Sequence, residues 1–454
     1  MKIHFIAIGG SVMHNLALDI LQQGHLVTGS DDEIFEPSRT RLQNAGLLPA
    51  ALGWFPDKIT QDLDAIVLGM HAHKDNPELL KALDLQIPVY SYPEFIYRES
   101  IHKKRIVVGG SHGKTTITSM IMHVLRIADK KFDYLVGAQL EGFDRMVKID
   151  PVNDLAVFEG DEYLSSTLNP IPKFHIYHPH LAIISGIAWD HMNVFPTFEN
   201  YCDQFIQFIQ KVEPGGFLIY CENDLVLKEM VENNRRNDIQ YLPYQIPAYE
   251  IKDEQTFIPH QGHLHALKIF GEHNLMNMEA ARLACQLVGV EAEVFYSAMQ
   301  EFTGAAKRLE VMHKTAHTVV FKDFAHSPSK LSATIHAVKL QYPQRKIIAF
   351  VELHTYSSLN KDFLEQYQHT MDEADIAVVF YSPHTLSIKK LPPVDPQQIA
   401  DAFVNRNISV FDNNEAITSF LQSLEVNDSV CLMMSSGNWN GVNVFEILKE
   451  KMES

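Results

Sequence analysis

Residues 106–116 read Ile106-Val107-Val108-Gly109-Gly110-Ser111-His112-Gly113-Lys114-Thr115-Thr116. An apolar run ends in glycines, then a lysine, then two hydroxyls. This predicts a buried strand, a tight loop and a helix start. Gly109, Gly110 and Gly113 allow the backbone to turn its N–H groups inward, and the helix N-terminus adds its positive end, so the loop is a cradle for phosphate. In such a loop Lys114 neutralises the outer phosphates and the Thr115 hydroxyl is offered to Mg²⁺. The common pattern places a glycine where Val108 stands, five residues before the Gly-Lys pair, so this loop is a shorter variant built on Gly110-x-x-Gly113-Lys114-Thr115-Thr116.

A chain of 454 residues exceeds one core and predicts two to four domains. Its formal charge of −18 argues against nucleic acid or an anionic membrane as partner. An acidic protein that binds phosphate must concentrate positive charge locally, which singles out Lys114. The four cysteines, Cys202, Cys221, Cys285 and Cys431, are far apart and suit neither a disulfide framework nor a zinc site. The apolar run after Lys2 is short and interrupted by Gly9-Gly10, unlike a signal peptide, and no apolar stretch reaches membrane-spanning length. A cytoplasmic protein is expected, as a monomer or weak homo-oligomer.

Outward from the loop, residues 3–8 form a strand that enters Gly9-Gly10-Ser11. A helix follows, then a strand ending in Ser30-Asp31. This βαβ start resembles a dinucleotide-binding unit, although Ala7 stands where a first glycine is expected. A nicotinamide cofactor or a nucleotide-sugar diphosphate would both use such a turn. Strands at 65–69 and 87–90 complete a small parallel sheet, and Lys103-Lys104-Arg105 reads as a linker, closing a first domain at 104. A second domain, 105–312, carries strand 155–159 ending in Glu159-Gly160-Asp161-Glu162 and strand 181–184 leading to Asp190-His191. Segment 231–262, polar and interrupted by proline, reads as a peripheral excursion. A third domain, 313–454, carries strands at 318–322, 346–352, 376–381, 408–411 and 429–434, with helices at 360–373, 396–404, 414–424 and 441–451. The fold class is α/β. Each of three domains has a mainly parallel sheet flanked by helices, Rossmann-like at both ends and P-loop ATPase-like in the centre.

Acids and a histidine at the carboxyl ends of parallel strands share the rim on which the phosphate loop sits. Glu159 and His191 are therefore candidate metal partners of Thr115, since a hard cation on phosphates takes oxygen ligands and tolerates one imidazole. A solvated strand end would equally place Glu159, and His191 is one of 23 histidines. Asp161, Glu162 and Asp190 could orient water or a second cation, or be a solvated turn. Asn274, at a helix start, can serve a base edge or cap the helix. Arg308 suits a terminal phosphate or a surface ion pair. Asp323 at a strand end suits a ribose hydroxyl.

Taken in order, these stretches resemble the Mur ligase family over nearly the whole chain. Those that carry the resemblance are Gly110–Thr116, Glu159-Gly-Asp-Glu162, Asp190-His191, Gly271-x-His-Asn274-x-x-Asn277, Arg308 and Asp323-Phe-Ala-His326-x-Pro328. The resemblance implies ATP-dependent joining of a carboxylate to an amine, with Mg²⁺, in a UDP-sugar domain, a central ATPase domain and a C-terminal domain that delivers the amine. It implies catalytic roles for Lys114, Glu159, His191 and Arg308, and metal ligation by Thr115, Glu159 and His191. ATP falls to Gly110, Ser111, His112, Gly113, Lys114, Thr115, Thr116, Asn274, Arg308 and Asp323. The UDP-sugar falls to Gly9, Gly10, Ser11, Ser30 and Asp31.

Three stretches are similar to the murein peptide ligase group, which attaches L-alanyl-γ-D-glutamyl-meso-diaminopimelate to UDP-N-acetylmuramate in peptidoglycan recycling. They are Ser30-Asp31 with Phe35-Glu36-Pro37-Ser38, Asp161-Glu162-Tyr163 with Lys173-Phe174 and Tyr177-x-Pro179, and Met434-Ser435-Ser436-Gly437 with Trp439-x-Gly441. Ala188, Gly186, Ser327, Lys307, His354 and Asn169-Pro170-Ile171-Pro172 depart from the family's usual residues. The alternatives are ligation of free L-alanine, or a nicotinamide-dependent oxidoreductase built on the Gly9-Gly10 turn.

Overall fold

The computed structural model describes residues 1–453 except His71, 190–193, 305–307 and Arg406. The chain divides into two compact units, residues 1–245 with 277–298, and residues 246–276 with 299–454.

The first unit holds two sheets. Strands β1 (Lys2–Ile6), β2 (Leu26–Ser30), β3 (Ala65–Leu68) and β4 (Val89–Ser91) form a parallel sheet in the order β2-β1-β3-β4. The second sheet uses β5 (Lys104–Gly109), β6 (Asp133–Leu135), β7 (Val147–Lys148), β8 (Leu155–Glu159), β9 (Leu181–Ile184), β10 (Phe217–Cys221) and β11 (Gln240–Tyr244). Its order is β11-β10-β9-β5-β8-β6-β7, parallel except for β7. Residues 106–109 of β5, residues 155–158 of β8 and all of β9 are apolar because both sheet faces are covered. Gln240–Tyr244, expected within an excursion, is the edge strand. Its Pro243 is tolerated there because an edge strand can lose one ladder donor.

The basic triplet read as a linker is not a solvated tether. Lys103 is buried and bonds Asp133 and the Asp150 carbonyl, β5 begins at Lys104, and Arg105 is 1% exposed. The Arg105 guanidinium donates to the carbonyls of Ser100, Ile101, Lys103, Tyr177 and His178. The first helix, Ser11–Gln22, is tied to the second sheet's outer edge. Asp19 accepts the Ile149 N–H at 2.9 Å, and Asn15 accepts the Met146 N–H at 3.2 Å.

The second unit holds an antiparallel sheet, β12 (Glu250–Lys252), β13 (Gln255–His260) and β14 (His263–Leu267). It also holds a six-stranded sheet of β15 (Glu310–Lys314), β16 (Val319–Asp323), β17 (Lys346–Leu353), β18 (Ile376–Tyr381), β19 (Ile408–Phe411) and β20 (Ser429–Met434). The order is β15-β16-β20-β17-β18-β19, parallel except for β15. Alternation divides its strands between two cores. Phe321, Ile347, Ala349, Val351, Val379 and Leu432 pack on one side, and Val320, Ile348, Phe350, Val378, Phe380 and Met433 on the other. β15 spans the boundary expected at 312–313.

A helix was expected over 360–373, but the chain forms only the turns Lys361–Leu364 and Glu365–Tyr367. Tyr367 stacks on Phe403 and its hydroxyl donates to the His326 carbonyl. Thr370 bonds the Tyr367 carbonyl, and His369 has φ +62°, which ends any helix. No described helix is long and apolar enough to cross a membrane.

Candidate functional site

The strand β5 delivers its chain into the loop predicted from Gly110 to Thr116, and a helix over Lys114–Ile127 follows. Gly110 has φ +124° and Gly113 φ +76°, conformations that a side chain disfavours. Space forbids one as well. A Cβ on Gly110 would lie 2.8 Å from the Ser185 backbone nitrogen, and one on Gly113 2.2 Å from Asn277 Oδ1. The loop is pinned to the end of β9, where the Ser111 N–H donates to the Gly186 carbonyl at 3.0 Å and the Ser185 hydroxyl bonds the His112 carbonyl. Thr116 is buried in the first helical turn.

Lys114 Nζ donates to the Gly110 carbonyl at 2.6 Å and to Glu162 Oε2 at 2.7 Å. Burial works against its charge, but Glu162, then Asp161, then Glu159 outweigh it and raise its pKa. The Thr115 hydroxyl donates to Glu159 Oε1 at 2.8 Å, and the Gly137 N–H donates to Glu159 Oε2 at 2.6 Å. Burial pushes the Glu159 carboxyl up against those hydrogen bonds and the Lys114 charge. The pair Thr115 and Glu159 supplies two oxygen donors of the kind a hard divalent cation takes, so these residues fit Mg²⁺. Asp190 and His191, expected beside them, lie outside the described residues, as does Lys307. Among the described residues no group of three or more His, Cys, Asp and Glu is arranged for a metal.

The two acids after Glu159 are each closed by a lysine. Glu162, fully buried, takes Lys114, and Asp161 takes Lys173 Nζ at 2.6 Å. Burial pushes Asp161 up, but Lys173 and Lys114 outweigh it and bring it down to about 2. Tyr201 was missed by the sequence reading. It is wholly buried, donating to Glu162 Oε1 at 3.2 Å and lying 3.0 Å from Ser111 Oγ. The available signal was a phenol among the phenylalanines of one apolar helix face, since a buried tyrosine hydroxyl needs a partner.

In the first sheet, Gly10 caps the helix Ser11–Gln22 and the Gly9 N–H donates to Asp31 Oδ2 at 2.7 Å. A Cβ on Gly9 would meet Asp31 and Ile34 at 2.9 Å. Ala7, where a glycine was expected, does adopt the left-handed conformation, at φ +66°. Ser30 is buried and accepts Lys58 Nζ at 3.0 Å. Ser30 and Asp31 thus hold the turn from inside, while Ser11 is exposed at the helix start.

On the second unit, Asn274 Nδ2 donates to the Phe270 carbonyl at 2.9 Å, a bond within its own helix start. Asp323 accepts the N–H groups of Leu309 and Ala325, both at 2.7 Å. Burial raises its pKa against the charge of Arg308, whose guanidinium lies 4.6 Å above the Phe324 ring. At the end of β17, Glu352 accepts the Trp439 N–H at 2.9 Å and the Ser435 hydroxyl, with His354 Nδ1 at 3.7 Å.

Family models match the chain in three consecutive segments. One described as "Mur ligase family, catalytic domain" matches residues 2–103, "Mur ligase middle domain" matches 108–285, and "Mur ligase, glutamate ligase domain" matches 307–437. A UDP-N-acetylmuramate–L-alanine ligase of Desulforamulus reducens is 30% identical over 83% of this chain and 82% of its own. A solved UDP-N-acetylmuramate:L-alanyl-γ-D-glutamyl-meso-diaminopimelate ligase from Neisseria meningitides is 25% identical over 66% of this chain and 98% of its own, with a TM-score of 0.59. A UDP-N-acetylmuramate–alanine ligase structure from Thermotoga maritima covers 100% of this chain and 98% of its own at 19% identity, with a TM-score of 0.69.

Proposed function

We propose, from the premise that this chain belongs to the Mur ligase family of ATP-dependent amide ligases, that it joins the carboxylate of UDP-N-acetylmuramate to the amine of L-alanyl-γ-D-glutamyl-meso-diaminopimelate. The membership replaces the oxidoreductase alternative. The observation that carries the phosphate chemistry is the loop itself, with Lys114 held at its mouth and Thr115 joined to Glu159.

In this reading the muramate carboxylate attacks the γ-phosphorus of ATP, ADP leaves, and an acyl phosphate forms. The peptide amine then attacks the acyl carbon and phosphate departs. Lys114 stabilises the charge on the transferring phosphoryl group. Thr115 and Glu159, with His191, would hold Mg²⁺, which when bound offsets phosphate charge. We assign the sugar nucleotide to residues 1–104 through Gly9, Gly10 and Ser11, ATP to 105–312 and the amine substrate to 313–454. Asn274 is given the base edge, Asp323 a ribose hydroxyl and Arg308 the terminal phosphate.

The choice of tripeptide is supported by the resemblance of three sequence stretches, two of which are anchored by buried or half-buried acids. Asp161 pairs with Lys173, and Ser435 and Trp439 converge on Glu352. The second reading, free L-alanine as the amine, is favoured by the Desulforamulus reducens relative. Phosphate release measured with UDP-N-acetylmuramate, MgATP and either amine decides between them. Preference for the tripeptide is expected, and preference for L-alanine overturns the choice.

A further inference from the structure

Four residues after the end of β9, a chain of hydrogen bonds returns to the phosphate lysine. The Ala188 N–H donates to Ser111 Oγ at 2.7 Å. Ser111 Oγ lies 3.0 Å from the Tyr201 hydroxyl, and that hydroxyl donates to Glu162 Oε1 at 3.2 Å. With the phenol hydrogen given to Glu162, Ser111 is the donor to Tyr201 and shares its one hydrogen with the Gly186 carbonyl at 3.4 Å. Lys114 closes the chain on the other carboxylate oxygen at 2.7 Å. The path ends on Glu162, and both oxygens of that carboxylate are used.

We propose that Glu162 and Tyr201 are positioning residues for Lys114: Glu162 fixes the direction of the ammonium at the loop mouth, and Tyr201 fixes Glu162 against the phosphate loop and the segment after β9.

The arrangement is costly for a purely structural purpose. Glu162 is fully buried, and a buried carboxylate is tolerated only with a cation and hydrogen bonds to satisfy it. Lys114 is held at two points, the Gly110 carbonyl and Glu162, so its ammonium has one direction rather than the several that a free lysine samples. Tyr201 is itself immobilised, edge-on to Phe205 with ring centroids 5.2 Å apart and against Phe195 at 5.6 Å. Its hydroxyl can be removed while the ring stays packed. A lysine whose direction is set before phosphoryl transfer loses less freedom in the transition state, so the effect belongs in turnover more than in nucleotide affinity.

The inference rests on the ligase reading for its kinetic consequence but not for its physical one, and the experiment separates the two. The full chain, Tyr201→Phe and Glu162→Gln are compared in two assays. The first is the rate at which acetic anhydride labels Lys114 at mildly alkaline pH, read by mass spectrometry of the loop peptide. Glu162→Gln removes the ion pair that holds the ammonium against the loop, so the amine becomes more accessible to the reagent and labels faster, by about tenfold, with Tyr201→Phe between it and the parent. The second is phosphate release with UDP-N-acetylmuramate, MgATP and the amine. There Tyr201→Phe lowers kcat about tenfold and Glu162→Gln about a hundredfold, with the KM for ATP changed less than about threefold. Equal labelling of Lys114 in all three proteins overturns the inference. So does labelling that follows expectation while kcat stays level and KM alone changes. If the parent protein releases no phosphate with any amine, the ligase reading falls and the labelling rates alone judge Glu162 and Tyr201.

Discussion

The Thr115 hydroxyl donates to Glu159 Oε1 across 2.8 Å, although 44 residues separate the two. One is the first hydroxyl of the helix behind the phosphate loop, and the other ends the neighbouring strand β8. Parallel pairing of β5 with β8 puts both at the carboxyl edge of the sheet, with Val108 opposite Glu159. Two oxygen donors brought together by sheet register are what a cation on nucleotide phosphates needs. Thr115→Val keeps the shape and removes the hydroxyl. It is expected to raise the Mg²⁺ concentration for half-maximal phosphate release about tenfold or more. An unchanged Mg²⁺ titration would assign the bond to loop structure alone.

Gly113 separates strain from function. Gly113→Ala places a residue at φ +76° and a Cβ 2.2 Å from Asn277 Oδ1. Gly46→Ala is the control, at φ +71° with nothing within 4 Å. Both should lose about 1–2 kcal/mol of stability from the left-handed backbone. Only Gly113→Ala should also lose the rise in Tm that an adenine nucleotide produces. Equal nucleotide stabilisation in the two variants would mean the loop does not close on phosphate.

Arg105 is a structural keystone in a segment with the composition of a tether. Its guanidinium serves five backbone carbonyls, and at 1% exposure none of that network is replaced by water. Arg105→Lys keeps the charge but cannot span the same fork. A loss of about 3 kcal/mol or more in denaturant unfolding is expected. A loss under about 1 kcal/mol would show the carbonyls to be satisfied otherwise.

His175 makes stability pH-dependent. Burial holds its imidazole down at about 4, where Nε2 faces the Gln204 carbonyl and the ring stacks on Phe174. Because the folded value lies below the ordinary 6.5, the unfolded chain binds the extra proton between those two values. The contribution is therefore present above pH 6.5 and lost as pH falls toward 4. Between pH 7 and pH 5 the parent should lose about 2 kcal/mol through this group. His175→Gln should not, so the difference in their slopes isolates it. Parallel slopes would contradict the assignment.

The sequence was most legible where both faces of a strand are buried. The segments 155–159, 181–184, 376–381 and 429–434 were expected as strands and are strands with those same ends, because a continuous apolar run between turns has few other uses. The phosphate loop was legible because its glycines and lysine are consecutive. What pairs with Lys114 was not, since Glu162 meets Lys114 only after β8 has packed beside β5, and Tyr201 meets Glu162 only after the helix Phe198–Gln210 has packed. The same holds for Lys103 and Arg105. Composition reads them as solvated, and their partners, Asp133, Asp150 and the 177–178 carbonyls, are distant in sequence.

The most direct test of the central claim follows an oxygen atom. UDP-N-acetylmuramate carrying ¹⁸O in its carboxylate is turned over with MgATP and the tripeptide, and the released phosphate is analysed by mass. If the carboxylate attacks the γ-phosphorus and the amine then displaces phosphate from the acyl carbon, one carboxylate oxygen leaves with each phosphate. Phosphate bearing one ¹⁸O per turnover is the predicted result. Amide formation with phosphate free of ¹⁸O would contradict the acyl-phosphate account, and phosphate release without amide would contradict ligation.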